Sequence, residues 1–274
     1  MTYLEKLFDL KNKVIVITGG AGILCKEMAK ALAKLGAKIA VLDLAEKAAN
    51  DVAQEIIAEN GCAKAFKTNV LEKNSVKQTA EMIIEEFGQI DILINGAGGN
   101  KKEATTSDTL SFFDLPLDAI KFVFELNVIG TLLPSQVFGE YMSKQKQGII
   151  LNISSMAAFR PLTNVIGYAG AKAAVSNFTQ WLAIHMAQNY SSNIRVNAIA
   201  PGFFETDQNR YLLKKENGEL SLRGQKIIDH TPMNKFGEPK DLIGATIWLL
   251  SPSAKFVTGT IIPIDGGFSA FSGV

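Results

Sequence analysis

The chain has 274 residues and a formal net charge of +1, from 28 Lys and Arg against 27 Asp and Glu. A charge so near zero gives no long-range field that would attract nucleic acid or an anionic membrane surface. Two cysteines, Cys25 and Cys62, exclude a disulfide framework and a multi-cysteine metal site, and 47% hydrophobic residues exclude a disordered chain.

Short runs of β-branched residues alternate with helical stretches along the chain. The runs lie at 14–18, 37–43, 63–70, 90–95, 148–154, 194–200 and 260–265, and the first helical stretches at 26–35, 46–60 and 72–87. Apolar strands that alternate with helices predict an α/β fold with a parallel sheet covered on both faces. We expect a single domain over 1–274, with the charged segment at about 203–230 as a loop excursion over the active site.

The first predicted strand runs directly into the glycine-rich segment GGAGILC (19–25) and then into a helix. Glycines at such a turn let the backbone approach a pyrophosphate, which sits at the helix N-terminus. The second strand ends at Asp43, whose carboxylate would accept hydrogen bonds from ribose hydroxyls and repel a 2′-phosphate. The segment therefore predicts NAD in preference to NADP. Asp43 and Glu46 also have capping-box-like spacing, so helix capping is an alternative role for Asp43.

Tyr168 and Lys172 stand four residues apart, which places them on one face of a helix. A nearby ammonium stabilises a phenolate and lowers the phenol pKa from its usual value of about 10. The pair therefore predicts a proton donor and acceptor beside a hydride-transfer site. Ser155 follows the strand at 148–154, at the end where parallel sheets bind ligands, although a turn or helix cap is its alternative role.

Together these motifs resemble the short-chain dehydrogenase/reductase family over residues 8–267. The matching pieces are TGGAG (18–22), Asp43, NGAG (95–98), LNVIG (126–130), Ser155 with Tyr168 and Lys172, RVNAIAPG (195–202) with Thr206, and DGG (265–267). The resemblance implies a Rossmann-type doubly wound sheet and a catalytic tetrad. In that tetrad Tyr168 exchanges the proton with the substrate oxygen and Ser155 binds that oxygen. Lys172 binds the nicotinamide ribose and lowers the Tyr168 pKa, and Asn127 holds a water of the proton relay.

The resemblance also implies a set of residues that bind the cofactor, in which Thr206 contacts the carboxamide. This set comprises Gly19, Gly20, Gly22, Ile23, Leu24, Asp43, Asn69, Val70, Asn95, Gly96, Ala97, Tyr168, Lys172, Pro201, Gly202, Phe203 and Thr206.

Three departures from the family pattern bear on this set. The last two glycines of TGxxxGxG fall on Ile23 and Cys25, the family's NNAG reads NGAG, and the acid after the third strand is Asn69. A different loop geometry is expected, with the side chains at positions 23 and 25 directed away from the pyrophosphate.

Polar residues in the later loops predict the substrate class. Arg160 and Arg210 are candidate partners of a carboxylate, because the planar guanidinium binds both oxygens. Asn100, Gln208 and Asn209 suit hydroxyl groups, so a polyhydroxylated acid fits the set.

The segments GGAGILC, NGAGGN and PGFFETDQNR resemble a subgroup of the family associated with D-mannonate oxidoreductase. The resulting hypothesis is an NAD-dependent interconversion of D-fructuronate and D-mannonate. A gluconate or other polyol dehydrogenase, a 3-oxoacyl reductase and a dinucleotide-binding redox sensor remain alternatives.

The sequence also bears on partners and location. His185 and His230 lack metal-ligand spacing, so no metal is expected. No segment has the pattern of a secretory signal or of a membrane span, so we expect a cytoplasmic protein. Family resemblance implies a homotetramer or homodimer.

Overall fold

The computed structural model describes residues 2–205 and 210–273. Within them, one parallel seven-stranded sheet has the order β3-β2-β1-β4-β5-β6-β7. The strands are β1 (Val14–Thr18), β2 (Lys38–Asp43), β3 (Cys62–Lys67), β4 (Ile92–Asn95), β5 (Gly148–Ile153), β6 (Ile194–Pro201) and β7 (Ile261–Ile264).

Helices connect these strands. They are α1 (Tyr3–Leu7), α2 (Ile23–Lys34), α3 (Glu46–Ala58), α4 (Lys73–Phe87), α5 (Leu117–Phe124), α6 (Gly130–Gln145), α7 (Ile166–Asn189), α8 (Arg210–Leu213), α9 (Leu222–Asp229) and α10 (Ile243–Leu250). No helix in the described ranges is long and apolar enough to cross a membrane.

The sheet has an apolar layer on each face. Because side chains alternate along a strand, Ile15 and Ile17 of β1 pack with α2, α3 and α10, whereas Val14 and Val16 pack with α4, α6 and α7. Burial on both faces explains why β1 is apolar at successive positions rather than at alternate ones. The prediction of a doubly wound α/β sheet with helices on both faces is confirmed.

The strand order reverses beside β1, which pairs with β2 on one side and β4 on the other. In open parallel sheets, ligands bind at such a switch point, outside the carboxyl ends of the strands. The segments after β1, β4, β5 and β6 therefore meet at one edge of the sheet.

Two stretches differ in detail from the sequence expectation. The run at 63–70 ends as a strand at Lys67, because the Asn69 side chain accepts from Leu71 N at 3.1 Å and forms a turn. The charged segment contains α8 and α9, which close over a small apolar cluster of Leu213, Ile227, Ile228 and Phe236. A period-based search misses helices this short.

Candidate active site

A cavity of about 400 Å³ opens at the carboxyl ends of the central strands. It combines the start of α2, the segment after β4, the end of β5, the start of α7 and the turn after β6. The lining residues are Ile23, Leu24, Gly99, Ile153, Ser154, Ser155, Tyr168, Pro201, Gly202, Phe203 and Phe204.

The glycine-rich loop is packed tightly against the segment after β4. Gly19 has a φ of +61°, and a methyl group there would come within 2.8 Å of the Ala97 Cα, so only glycine fits. Thr18 Oγ1 accepts hydrogen bonds from Gly96 N and Ala97 N, both at 3.2 Å. The loop is therefore held to the segment after β4 by hydrogen bonds to the Thr18 side chain and by close backbone packing at Gly19.

Helix α2 begins at Ile23, and no side chain caps its N-terminus at Gly22. The first backbone N–H groups of a helix have no intrahelical acceptor, and the helix dipole favours an anion there. This end of α2 adjoins the cavity through Ile23 and Leu24, so the donor set fits the pyrophosphate of a dinucleotide. Both residues line the cavity, and the expectation that the side chain at position 23 is directed away from the pyrophosphate stays a prediction.

Asp43 links the glycine-rich loop to the start of α3. Its Oδ2 accepts from Ala21 N at 3.2 Å, and its Oδ1 accepts from Ala45 N at 3.0 Å. The N-cap of α3 is Ala45, without a side-chain cap, so the capping-box alternative for Asp43 is wrong. The carboxylate instead stabilises the loop through these two hydrogen bonds. It lies at the end of β2, where the sequence predicts a contact with the ribose.

Asn127 lies in a π-helical turn, Glu125–Ile129, between α5 and α6. Its side chain is fully buried; Nδ2 donates to Gly99 O and Val123 O, both at 2.7 Å, and Oδ1 accepts from Gly99 N at 3.1 Å. Both Nδ2 hydrogens are thus donated to the protein. Asn127 therefore holds the backbone of Gly99, which lines the cavity. The role of Asn127 in holding a relay water stays a prediction.

Ser155 and Tyr168 meet inside the cavity. Burial raises the pKa of the Tyr168 phenol above its ordinary value of 10.0, and a hydrogen bond with the Ser155 side chain acts in the opposite direction. Ser155 Oγ also accepts from Ala157 N at 3.2 Å, so the turn-cap alternative is realised together with the contact to Tyr168. At neutral pH the phenol is protonated and placed to donate.

Lys172 is 4% exposed, and burial lowers its pKa from 10.5 to about 8. Its Nζ donates to Ile153 O at 2.8 Å and lies 5.6 Å from the centre of the Tyr168 ring. We expected Lys172 to lower the Tyr168 pKa, whereas the Tyr168 pKa is raised because desolvation of the phenol dominates.

Gly98 is a residue of this site that the sequence analysis missed. A methyl group at Gly98 would lie 2.7 Å from Asn127 Oδ1 and 3.2 Å from Lys172 Nζ. The last glycine of NGAG, which the sequence shows, is the signal that could have identified it. Its missing side chain lets two predicted tetrad residues approach the same backbone.

A buried polar chain connects the tetrad elements beneath the cavity. Asn95 Nδ2 donates to Ser135 Oγ at 2.9 Å and to Asn152 Oδ1 at 2.8 Å. Asn152 then donates to Thr179 Oγ1 of α7 at 2.9 Å, while Ser135 bonds the Thr131 carbonyl in α6 at 2.8 Å. Asn95 therefore acts below the site, as a link between β4, β5 and the two helices.

The remaining predicted cofactor residues divide into two groups. Pro201, Gly202 and Phe203 line the cavity, and a methyl group at Gly202 would come within 2.6 Å of Asp265 Cβ. Asn69 and Val70, which follow β3, do not line it, and Asn69 Nδ2 donates to Glu72 at 2.8 Å. Also outside the lining, at the same edge of the sheet, lie Gly19, Gly20, Gly22, Asp43, Asn95, Gly96 and Ala97.

The three predicted substrate residues that the structure describes each have a different bonding partner. Asn100 donates to Thr105 Oγ1 at 2.8 Å, and Arg160 Nε donates to Ser269 O at 3.0 Å. Arg210 Nε is paired with the Glu205 carboxylate at 3.0 Å. None of the three lines the cavity. Thr206, Gln208 and Asn209 lie outside the described residues. In the described part of the chain, no group of three His, Cys, Asp or Glu could hold a metal ion.

Comparison with known proteins places this site in a family. A short-chain dehydrogenase/reductase family model, described as enoyl-(acyl carrier protein) reductase, matches residues 20–269. A crystal structure from Haemophilus influenza, provisionally named D-mannonate oxidoreductase and containing bound NAD, is 49% identical, with a TM-score of 0.92 over 99% of this chain and 100% of that one.

Two curated relatives extend the comparison. "Uncharacterized oxidoreductase UxuB" of Bacillus subtilis is 45% identical over 97% of this chain and 98% of its own length. The 7alpha-hydroxysteroid dehydrogenase of Escherichia coli K12 is 34% identical over 94% of both chains. With a family model over most of the sequence and relatives above 30% identity, the chain belongs to the short-chain dehydrogenase/reductase family of oxidoreductases.

Proposed function

We propose that this protein uses NADH to reduce the keto group of a sugar acid to a secondary alcohol, with D-fructuronate and D-mannonate as the reacting pair. The observation that carries the proposal is the cavity itself. One space joins the uncapped start of α2 to Ser155 and to a Tyr168 phenol that burial keeps protonated.

The roles of the side chains follow from their positions. The start of α2 would hold NADH, which would supply the hydride to the carbonyl carbon. Tyr168 donates its proton to the developing alkoxide, and Ser155 donates a hydrogen bond to the same oxygen. Lys172 retains most of its charge at pH 7, since its pKa is about 8, and it supplies a cation beside the phenol as the proton leaves.

The preference for NAD is a proposal of the same kind. Asp43 presents a carboxylate at the end of β2, where a 2′-phosphate would meet negative charge. The related Haemophilus structure contains NAD. We expect NADH to bind more tightly than NADPH in a fluorescence titration, and the Asp43→Ala variant to reduce that difference.

The sugar-acid substrate is supported by the provisional name of the 49% identical structure. The 34% identical hydroxysteroid dehydrogenase makes a steroid the competing class. A panel assay that follows NADH oxidation with D-fructuronate, 5-keto-gluconate, a 7-oxo steroid and a 3-oxoacyl thioester separates these classes. Turnover fastest on D-fructuronate supports the proposal, whereas preference for the steroid or thioester contradicts it.

Replacement of Tyr168 by Phe tests the proton donor. We expect kcat to fall by about 10³-fold or more, because general-acid transfer to the substrate oxygen is lost. NADH affinity should stay close to that of wild type, since the aromatic ring remains. Fluorescence titration and steady-state kinetics on the same preparations give both values. If the Tyr168→Phe variant retains most of its activity, Tyr168 is not the proton donor. If the wild-type protein binds the dinucleotide without turnover of any substrate, the redox-sensor alternative is favoured.

We also propose a homo-oligomer, a homotetramer or a homodimer. Helix α7 exposes Trp181 and Ile184, which are 55% and 60% accessible, beside a groove of about 420 Å³ between α6 and α7. Exposed apolar faces of this kind mark association surfaces. Light scattering after size exclusion gives the mass directly, and a monomer at micromolar concentration contradicts the proposal.

A further inference from the structure

Two departures from the family pattern contact one another in the fold. Cys25 stands at the last glycine position of TGxxxGxG, and Gly96 stands at the second asparagine of NNAG. Cys25 lies in the first turn of α2, and Gly96 directly follows β4. In the structure a methyl group on Gly96 would overlap Cys25 Sγ. The position that lost its glycine and the position that gained one are therefore complementary in volume.

The overlap is specific to the sulfur. The Cys25 Cβ is 3.7 Å from the place that a Gly96 methyl would occupy, an ordinary van der Waals distance. A second collision remains with the backbone, because Thr18 O lies 2.8 Å from the same place, closer than a methyl group tolerates. Loss of the sulfur alone would thus remove the more severe of the two collisions.

This contact lies at the junction that supports the cofactor loop. Thr18 Oγ1 bonds the N–H groups of Gly96 and Ala97, and Gly19 packs against Ala97. Cys25 is 5% exposed and belongs to the core below the loop. Its neighbours in sequence, Ile23 and Leu24, line the cavity. Any change in the spacing between Cys25 and Gly96 therefore moves the start of α2 relative to β4.

We propose that Cys25 and Gly96 act as a pair of positioning residues. The Cys25 thiol fills the space left by the missing side chain at position 96. It thereby holds the start of α2 at the distance from β4 that dinucleotide binding requires. The proposal rests on the proposed function, because the binding site that the pair supports is the one proposed for NADH. The thiol acts through its volume, since burial raises the Cys25 pKa to about 12 and leaves no thiolate at neutral pH.

A double-mutant cycle with Cys25→Ala and Gly96→Ala tests the pairing. Alanine at position 25 removes the sulfur and keeps a residue that favours the helix. Two readouts are measured on the full chain: NADH affinity by fluorescence titration, and thermal unfolding without cofactor. Cys62→Ala, which changes the exposed cysteine, is the matched control.

We expect Gly96→Ala alone to weaken NADH binding by about tenfold or more, as overpacking at a tight contact does. Cys25→Ala alone should have a smaller effect. The double variant should recover part of the NADH affinity and stability that Gly96→Ala loses, because the added methyl group then occupies the space of the lost sulfur while its contact with Thr18 O remains. If the two residues were independent, removal of the Cys25 sulfur would not restore what the added methyl group at position 96 had lost.

Three outcomes overturn the pairing. One is a Gly96→Ala variant that binds NADH like wild type, which would mean that the thiol rotates away at no cost. The second is a double variant that folds or binds no better than Gly96→Ala. The third is full additivity of the two changes. If the double variant shows the rescue in thermal unfolding but the wild-type protein binds no NADH, the pairing stands and the proposed function is contradicted.

Discussion

Burial sets the protonation states of the two central residues of the candidate site. It keeps Tyr168 protonated at neutral pH, which suits the donor of a carbonyl reduction. It also makes Lys172 easier to deprotonate, because the buried ammonium has lost solvation. The buried ammonium therefore lowers the stability of the fold at neutral pH, a cost often seen for residues retained for function.

The pH dependence of unfolding measures that cost. The Lys172 pKa is about 8 in the folded protein and 10.5 in the reference state, so between these values the unfolded chain binds the extra proton. Stability from this group therefore rises with pH across that window, by about 3 kcal/mol in total. We expect the difference in unfolding free energy between wild type and Lys172→Met to increase by this amount as the pH rises from about 8 to 10.5. Urea titrations at a series of pH values measure it. A difference that stays constant with pH would contradict the lowered pKa.

Gly98 tests how closely the tetrad must be packed. In a Gly98→Ala variant the methyl group would meet Asn127 Oδ1 at 2.7 Å and Lys172 Nζ at 3.2 Å, so one or both must move. Displacement of catalytic groups by a fraction of an ångström should lower kcat by about ten- to a hundredfold. Steady-state kinetics on the best substrate of the panel provide the measurement.

Gly244 provides the matched control for that change. It lies in α10, and a methyl group there would meet nothing within 4 Å. Gly244→Ala should keep full activity and raise the unfolding free energy by about 0.5–1 kcal/mol through helix propensity. Equal activities of the two variants would show that the space at position 98 is dispensable.

At the scale of elements, charged residues join α2 to α3 below the glycine-rich loop. Glu55 of α3 accepts from Lys26 at 2.6 Å and from Lys30 at 3.3 Å, and Glu59 pairs with Lys30 and Lys34. The hydrogen bond from Lys26 is the largest cause that lowers the Glu55 pKa. These pairs are partly exposed, so solvent screens them and each contributes little.

Glu55→Gln measures the contribution of this ion-pair network. We expect a loss of about 0.5 kcal/mol in unfolding free energy at low salt, which shrinks in 1 M NaCl as the charges are screened. Since the folded Glu55 pKa is lowered, the stabilisation is present above the reference pKa of 4.5 and is lost as pH falls through the folded value. Glu81→Gln, on the exposed side of α4, is the control. A loss that does not depend on salt would point to packing instead.

Most strands of the sheet could be predicted from the sequence, whereas the contacts of the predicted catalytic and substrate residues could not. Strands such as β1 are buried on both faces and therefore read as continuous apolar runs. The π-helical turn that holds Asn127 leaves no periodic signal, and the role of Gly98 depends on two side chains far away in sequence. Arg210 was predicted as a carboxylate partner from its chemistry, but sequence alone does not reveal its pairing with Glu205.

Across the whole molecule, the C-terminal segment returns to the site formed by the central strands. After β7, Phe268 packs edge-on against Phe203 with ring centres 5.1 Å apart, and Phe203 lines the cavity. Ser269 O accepts from Arg160 Nε at 3.0 Å, which ties the same segment to the loop after Ser155. The part of the cavity wall that Phe203 forms therefore depends on residues near the end of the chain.

Phe268→Ala should weaken the part of the cavity wall that Phe203 forms and leave the glycine-rich loop in place. An aromatic pair contributes about 0.5–1.5 kcal/mol beyond its buried area, so we expect KM for the keto substrate to rise by about three- to tenfold. NADH affinity should fall by a smaller factor than KM rises, because the change removes the support of one predicted cofactor residue, Phe203, and leaves the glycine-rich loop and Asp43 unaltered. Phe256→Ala, at a fully exposed phenylalanine, is the matched control and should change neither value. A fall in NADH affinity equal to the rise in KM would mean that the segment supports the whole edge of the sheet rather than the substrate wall alone.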